Sequence, residues 1–348
     1  MIAIFTAGAL AILVAGFGTP ILLSWALRRR VGQHIREDGP AGHAAKAGTP
    51  TMGGIAMLFA MLGGYLLGHV GTHLAFSAGG GIIAGAIVLM GGVGLIDDWL
   101  KVRNRRSLGL NKRWKFGLQI TVAVGFALGS VYAAHASTTL SFTRYDLPGT
   151  HLGTAVWIVW ATLIIVATSN AVNLTDGLDG LAAGSTAFAA SCLTIIGYWE
   201  FRHVGIYNVG HPKTLALDIA LVAISIAGAC VGFLWWNAAP ARIFMGDTGS
   251  LALGTGIACV ALSLNVVLLL PIIGGLFVIE TLSVVAQVFS FRLFHRRIFR
   301  MAPVHHHFEL LGWPETTVIV RFWLLAALCT ALGLGIFYAD FLSVHPAG

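Results

Sequence analysis

Five aspartates in three well-separated segments are the residues of this chain best suited to chemistry: Asp97 and Asp98, Asp176 and Asp179, and Asp247. Each segment borders a long apolar run, where charge is costly. An aspartate at the centre of a bilayer costs roughly 2.5–3.5 kcal/mol on insertion scales, and less near the interface. Adjacent carboxylates such as Asp97 and Asp98 also repel each other. A bound dication removes that penalty, and Mg²⁺ suits the pair because it takes one or two carboxylates together with substrate phosphates. The alternative is an ordinary charged stop to a helix. The second segment, 170–180, combines Asn170, Asn173, Thr175, Asp176 and Asp179 with two Asp-Gly steps. It reads as a tight turn, or as a turn that offers its polar groups to a ligand. In the third, 237–250, Asp247 reads as a helix N-cap, a position where backbone amides can also receive an anion.

A fourth segment, Pro303 to Glu309, carries His305, His306 and His307. Three consecutive histidines cannot share one face of a helix, and no partners stand at zinc-site spacing. Contacts of one or two of them to phosphate or sugar are favoured over zinc, with a solvated loop as the plain alternative. Glu280 lies inside an apolar run, as a functional group or as half of a helix–helix hydrogen bond. Carboxylates, basic residues and histidines on one face of one membrane describe a metal–diphosphate site. There the metal would neutralise phosphate oxygens during phosphoryl transfer.

The elements that position these groups are membrane spans. The chain has 348 residues, 57% of them hydrophobic and 10% charged, with a mean hydropathy of +0.84. A soluble domain carries about 25% charged residues, so this chain cannot coat a water-soluble globule. A helix needs about 20 apolar residues to cross the hydrocarbon core. That ruler predicts ten spans, at roughly 3–27, 51–71, 76–96, 115–134, 153–172, 180–199, 215–235, 249–268, 270–291 and 317–339. The eighth and ninth are separated only by the dip at Asn265 and Pro271. Residues 2–27 carry no charge and follow no basic segment, so a retained span is expected there and not a cleaved signal. The fold class is all-α, a polytopic integral membrane protein, expected as a single domain over 1–348.

Eighteen of the 21 Lys and Arg fall in one set of loops; only Arg144, Arg202 and Lys213 fall in the other. The basic set is expected in the cytoplasm, which places both termini extracytoplasmic. The net charge of +7 then speaks for topology and for anionic lipid or phosphate, not for nucleic acid. Nine of the 14 acidic residues, including all five aspartates above, share that side. The Asn173-Leu174-Thr175 sequon would face the cytoplasm and go unused. The four cysteines, Cys192, Cys230, Cys259 and Cys329, lie in apolar runs without metal or disulfide spacing. Trp99, Trp235 and Trp236 read as interfacial anchors. The Gly79–Gly81 stretch reads as a close helix contact and not as a phosphate loop.

These segments resemble the polyprenyl-phosphate N-acetylhexosamine-1-phosphate transferase superfamily over nearly the whole chain. The resemblance rests on Asp97-Asp98, the Asn173-to-Gly180 turn and Gly246-Asp247-Thr248-Gly249-Ser250. The string Pro303-Val304-His305-His306-His307-Phe308-Glu309, followed by Gly312-Trp313 and Arg321-Phe322-Trp323, resembles its muramoyl-pentapeptide branch. The resemblance implies an Mg²⁺-dependent transfer of phospho-MurNAc-pentapeptide from UDP-MurNAc-pentapeptide to undecaprenyl phosphate. Lipid I of peptidoglycan synthesis and UMP would form in the inner (plasma) membrane, with the active site open to the cytoplasm. It implies ten transmembrane helices, often as a homodimer.

It also implies roles. Asp97, Asp98 and Asp247 would be catalytic, Asp97 meeting the lipid phosphate and Asp247 with Asp98 holding the metal. Asp176, Gly177, Leu178, Asp179 and Phe244 would form the nucleoside pocket, with Phe244 stacked on uracil. Asn170, Asn173 and Asn237 would support substrate or metal geometry. Lys46, Thr51, Lys101, His305, His306 and His307 would contact phosphate, sugar and peptide. Three other readings stay open. A transporter would place polar groups near mid-membrane in repeat-related helices, whereas here only Glu280 lies deep. A non-catalytic scaffold would not need three aspartate segments. A sister transferase using UDP-GlcNAc differs only in the sugar, which spacing alone cannot name.

Overall fold

The computed structural model describes residues 1–29, 32, 48–104, 108–207, 209 and 215–344. Lys46, expected at the site, lies outside the described residues, as do the loop charges Arg36, Glu37, Asp38, Arg105, Arg106 and Lys213. In chain order the elements are α1 (Ile2–Arg29), α2 (Gly54–Thr72), α3 (Ala78–Asn104), α4 (Lys112–Tyr132), β1 (Thr139–Arg144), β2 (Leu147–His151), α5 (Thr154–Thr175) and α6 (Leu181–Arg202). They continue with α7 (Val204–Tyr207), α8 (Leu215–Asn237), α9 (Gly246–Ser263), α10 (Leu270–Ile273), α11 (Gly275–Phe294), α12 (Val304–Leu310) and α13 (Glu315–Val344).

Nine of the helices among the described residues are long and apolar enough to cross a membrane: α1 to α6, α8, α11 and α13. The eighth expected span, 249–268, is α9, which is not among those nine and whose residues from Thr248 to Leu262 are all buried. It packs against α3 and α5 and forms the axis of the bundle. The expected boundary after it is real. Asn265 takes a left-handed backbone (φ 56°), Pro271 opens α10, and the ninth span is α10 and α11 interrupted at Gly274. A protein of this kind buries its small residues and turns large apolar ones outward. Phe17 and Ile21 of α1, Leu282, Val285 and Phe289 of α11, and Leu324, Leu328 and Leu332 of α13 are exposed. The last two sets recur at helical spacing, so each paints one face of its helix. Contiguous apolar surface on that scale suits lipid, not water.

Two glycine contacts bring the site together. A Cβ on Gly94 would stand 2.2 Å from the Asp247 carbonyl oxygen, and one on Gly54 would stand 2.1 Å from the Gly249 amide nitrogen. Only glycine lets α3 and α2 cross α9 backbone to backbone at these points. The crossing at Gly94 sets Asp97 and Asp98, one turn further along α3, beside Asp247 at the start of α9.

The helices alternate in direction. The ends of α3, α5, α8 and α11 and the starts of α2, α4, α6, α9 and α13 gather at the end of the bundle that holds these aspartates. Met1 and Val344 both lie at the other end. There β1 and β2 form an antiparallel hairpin, the only strands among the described residues. The hairpin is pinned to α13, because Thr143 Oγ1 (2.8 Å) and Arg144 Nε (2.9 Å) both donate to Asp340 Oδ2.

Candidate active site

Asp97, Asp98 and Asp247 converge, each offering a carboxylate oxygen within 4.8 Å of the others. They share two ammonium groups. Lys101 Nζ lies 2.7 Å from Asp97 Oδ2, 2.8 Å from Asp247 Oδ2 and 3.7 Å from Asp98 Oδ1. Lys115 of α4 pairs with Asp247 Oδ2 and lies 3.7 Å from Asp97 Oδ2. Lys101 reaches Asp97 because i and i+4 share a helix face. Asn173 Nδ2 donates to Asp247 Oδ1 and to Ser250 Oγ, both at 2.8 Å, which draws the end of α5 into the cluster. Leu110 N donates to Asp97 Oδ1 at 2.8 Å.

Asp98 has a distinct task. Its Oδ1 accepts from Asp247 N (3.1 Å), and its Oδ2 accepts from Thr248 N (2.9 Å) and Thr248 Oγ1 (2.7 Å). The residue at the N-cap position of α9, Met245, makes no side-chain cap. The cap that the sequence assigned to Asp247 is therefore supplied from α3 by Asp98. Asp247 stands in the first helical turn instead, its carboxylate free to face the lysines. The same contacts show what the first amides of α9, expected to be able to receive an anion, hold here. The anion they hold is Asp98 itself, a placement that the helix dipole and the orphan amides both favour.

The donor set fits a hard dication. It is all oxygen, it converges from two helices, and Asp97 and Asp247 each turn one oxygen toward a shared positive charge, the Lys101 ammonium. Such a set could hold a divalent cation that prefers oxygen ligands. Among the described residues, no histidine or cysteine ligand stands in the cluster to favour zinc.

The remaining expected residues gather around this centre in different ways. Asp176 caps the end of α5. Burial pushes its carboxyl well above the usual range, and the charges of Asp247, Asp98 and Asp179 push it further. Asp179 Oδ2 accepts from Ala241 N at 2.9 Å, and Asp179 N donates to Glu315 Oε1 at 3.2 Å. The turn after α5 is thus tied to the loop before α9 and to the start of α13. Asn237 Nδ2 donates to Ile243 O at 2.9 Å, which shapes that loop. Phe244 is half-buried, and its backbone joins Pro50 O (2.8 Å) and Gly53 N (2.9 Å), so the segment holding Thr51 lies along it. Asn170 Nδ2 donates to Gln119 Oε1 at 2.9 Å, an α5–α4 link one turn from Asn173. The Leu178 side chain packs with Leu181, Leu276, Val318 and Phe322.

The three histidines all lie on α12 and diverge, as consecutive helical residues must. His305 is fully buried and stands 3.0 Å from Glu280 Oε2 through its Nδ1. His306 Nδ1 lies 2.7 Å from Glu309 Oε2. His307 Nδ1 accepts from Arg300 N at 3.1 Å. Glu280, left open between a functional group and a helix–helix bond, is a contact between α11 and α12 made to one of the expected site histidines.

Sequence reasoning counted Lys115 only as a loop charge and gave Thr248, Ser250 and Glu315 no role. A signal for Lys115 was present. The first turn of α4 carries Lys112, Arg113 and Lys115 with no acid, and cations there oppose the helix dipole. An uncompensated cation at a helix start points to an anionic partner elsewhere.

Comparison with known proteins agrees with this geometry. Glycosyl transferase family 4 matches residues 81–265, a stretch that holds all three converging aspartates and both lysines. A phospho-N-acetylmuramoyl-pentapeptide-transferase of Frankia alni is 49% identical, with 98% of each chain covered. Proteins of the same name from Rhodococcus jostii, 47% identical with 98% of each covered, and Beutenbergia cavernae, 44% identical over 98% of this chain and 99% of the relative, are similar along their whole length. The chain belongs to glycosyl transferase family 4 and, within it, to the phospho-N-acetylmuramoyl-pentapeptide-transferases.

Proposed function

We propose that this chain transfers phospho-MurNAc-pentapeptide from UDP-MurNAc-pentapeptide to undecaprenyl phosphate, releasing UMP and forming lipid I for peptidoglycan synthesis. The observation that carries the reading is identity of nearly half, over 98% of the chain, to relatives named for that reaction. The charged cluster of α3, α4, α5 and α9 supplies chemistry of the right kind.

The transfer is a single in-line displacement. An oxygen of the lipid phosphate forms a bond to the β-phosphorus of the nucleotide sugar. The bond from that phosphorus to the bridging oxygen breaks, and UMP leaves with the electron pair. A lipid phosphate is already anionic near neutral pH, so positioning and charge neutralisation carry most of the acceleration. Mg²⁺, held by Asp247 and Asp98, would supply neutralising charge to the diphosphate oxygens. Lys101 and Lys115, each now shared among carboxylates, can turn to phosphate oxygens as the substrates enter. Asp97 meets the lipid phosphate and accepts its proton where one remains. Asn173 holds the Asp247 carboxylate in orientation.

On the nucleotide side, Phe244 stacks on uracil, and Asp176, Gly177, Leu178 and Asp179 frame the nucleoside. Asn170 and Asn237 hold the surrounding loops. Lys46, Thr51, His305, His306 and His307 contact phosphate, sugar and peptide. The chain acts as one transmembrane transferase domain over 1–348, as a homodimer in the inner (plasma) membrane, with both termini outside and the site open to the cytoplasm. The one-sided distribution of Lys and Arg supports that orientation.

The test is UMP release by purified protein in detergent with undecaprenyl phosphate, Mg²⁺ and either UDP-MurNAc-pentapeptide or UDP-GlcNAc. Release with the muramoyl substrate alone, abolished by a chelator, is expected. Release with UDP-GlcNAc alone would move the substrate. A phospho-aspartate trapped with the nucleotide sugar and no lipid would overturn the single step.

A further inference from the structure

We infer that Glu280 is a positioning residue for the transfer, acting through His305 to present one ring nitrogen to the nucleotide-sugar side of the site. The inference rests on the proposed reaction. Four observations carry it. Both side chains are fully buried, with Glu280 Oε2 3.0 Å from His305 Nδ1. The approach is too oblique for a hydrogen bond, so both carboxylate oxygens of Glu280 and both ring nitrogens of His305 lack a hydrogen-bond partner among the described residues. A Cβ on Gly177 would stand 2.3 Å from His305 Nε2, so that nitrogen lies against the backbone of the Asp176–Gly177 turn. Finally, α12 is clipped to α11 a second time by Val304 N, which donates to Ser283 Oγ at 3.0 Å.

A buried carboxylate beside an imidazole is an expensive way to join two helices. Apolar residues of the same volume do it at least as well. The arrangement does something apolar residues cannot. With Nδ1 3.0 Å from the carboxylate, the charge of Glu280 favours that side of the ring, and Nε2 is the nitrogen facing away from it. That atom is buried and unpartnered, and it is directed at the turn that begins with Asp176. A phosphate oxygen, or a sugar or peptide group of the bound nucleotide sugar, would complete its hydrogen bonding. Gly177 is required on this account for lack of a side chain, since any Cβ would displace the ring.

The experiment is a double-mutant cycle on the full-length enzyme, with kcat and KM measured for each substrate in the UMP assay. Glu280→Ala is expected to lower kcat/KM for the nucleotide sugar roughly 10- to 100-fold, as loss of an orienting partner does, with KM for the lipid phosphate unchanged. His305→Ala should cost a similar factor, and the double variant should fall within about twofold of His305→Ala alone, because residues that act as a unit are not additive. Glu280→Gln keeps an acceptor in place and should retain about tenfold more activity than Glu280→Ala. It closes the same cycle if the alanine variant does not fold.

Losses that multiply in the double variant, or a folded Glu280→Ala protein with wild-type kinetics, would overturn the inference. Failure of the wild-type protein to use UDP-MurNAc-pentapeptide would instead overturn the proposed reaction. A readout independent of turnover is the ¹⁵N shift of the His305 ring. It should report a proton on Nδ1 in the wild type and a changed tautomer balance in Glu280→Ala; a ring without a proton on Nδ1 contradicts the inference whatever the activity.

Discussion

Asp218 and Asp247 lie at opposite ends of the bundle and are held in opposite ways. Asp218 is enclosed by groups of its own. His69 Nε2 lies 2.9 Å from its Oδ1, Ser77 N donates to its Oδ2 at 2.8 Å, and the Ser77 hydroxyl donates there too. Both His69 and Asp218 are fully buried, and their contact is a close charge–ring approach and not an aligned hydrogen bond. Asp247 shares Lys101 and Lys115 with Asp97, and Lys101 also with Asp98. Three carboxylates draw on two ammonium groups, and the Lys101 and Lys115 side chains remain 29% and 21% exposed. A fully buried pair fastens helices. A shared cluster with accessible cations can trade partners when a charged ligand arrives. The difference separates what holds this bundle together from what it does.

Four substitutions would break or sharpen that contrast. The largest effect is expected from Asp247→Ala, which removes the carboxylate that both lysines and Asn173 contact. Transfer should fall by about 10³-fold or more, in the range of losing a central electrostatic group, while the thermal midpoint in detergent changes little. Lys115→Ala comes next, at about 10²-fold in kcat, with Asp97 and Asp247 still served by Lys101. A Lys115→Ala enzyme with wild-type turnover would confine Lys115 to a structural pairing.

Asp218→Ala should show the reverse pattern. Breaking a buried pair costs about 3–5 kcal/mol of stability, so the thermal midpoint should drop, while the rate per folded molecule holds. A lost rate in a protein of unchanged stability would erase the distinction between the two ends. The smallest effect concerns Asp176. Its folded-state pKa is raised by burial and by neighbouring carboxylates, so folding favours its protonated form. Stability from this group is therefore lost as pH rises from the unfolded value through the raised one. Asp176→Asn, without metal or substrate, should flatten the fall of the thermal midpoint with rising pH; an unchanged slope would show that Asp176 does not titrate there.

Much of this was legible in the chain. Nine of the ten expected spans are helices long and apolar enough to cross a membrane among the described residues, because only helices of about 20 residues satisfy their own backbone across a bilayer. The three aspartate segments stood out because charge beside an apolar run needs a reason. What could not be read depended on tertiary contact. That Asp98 caps α9 requires knowing that Gly94 brings α3 onto that helix. Lys115 is one of several loop cations until α4 is packed beside α3. The hairpin of β1 and β2 is too short and polar to register against a ruler made for spans. Leu178 belongs to a site turn by sequence, yet its side chain serves the packing of α6, α11 and α13. The break after α9 was the least defined boundary, since Asn265 and Pro271 interrupt an otherwise continuous apolar run.

The most direct test of the account is metal-dependent UMP release from UDP-MurNAc-pentapeptide and undecaprenyl phosphate, compared between Asp247→Ala and Asp218→Ala at equal amounts of folded protein. The account predicts that Asp218→Ala keeps the wild-type rate and its loss on chelation, and that Asp247→Ala stays about 10³-fold or more below the wild-type rate at any Mg²⁺ concentration. Substantial release by Asp247→Ala would contradict it.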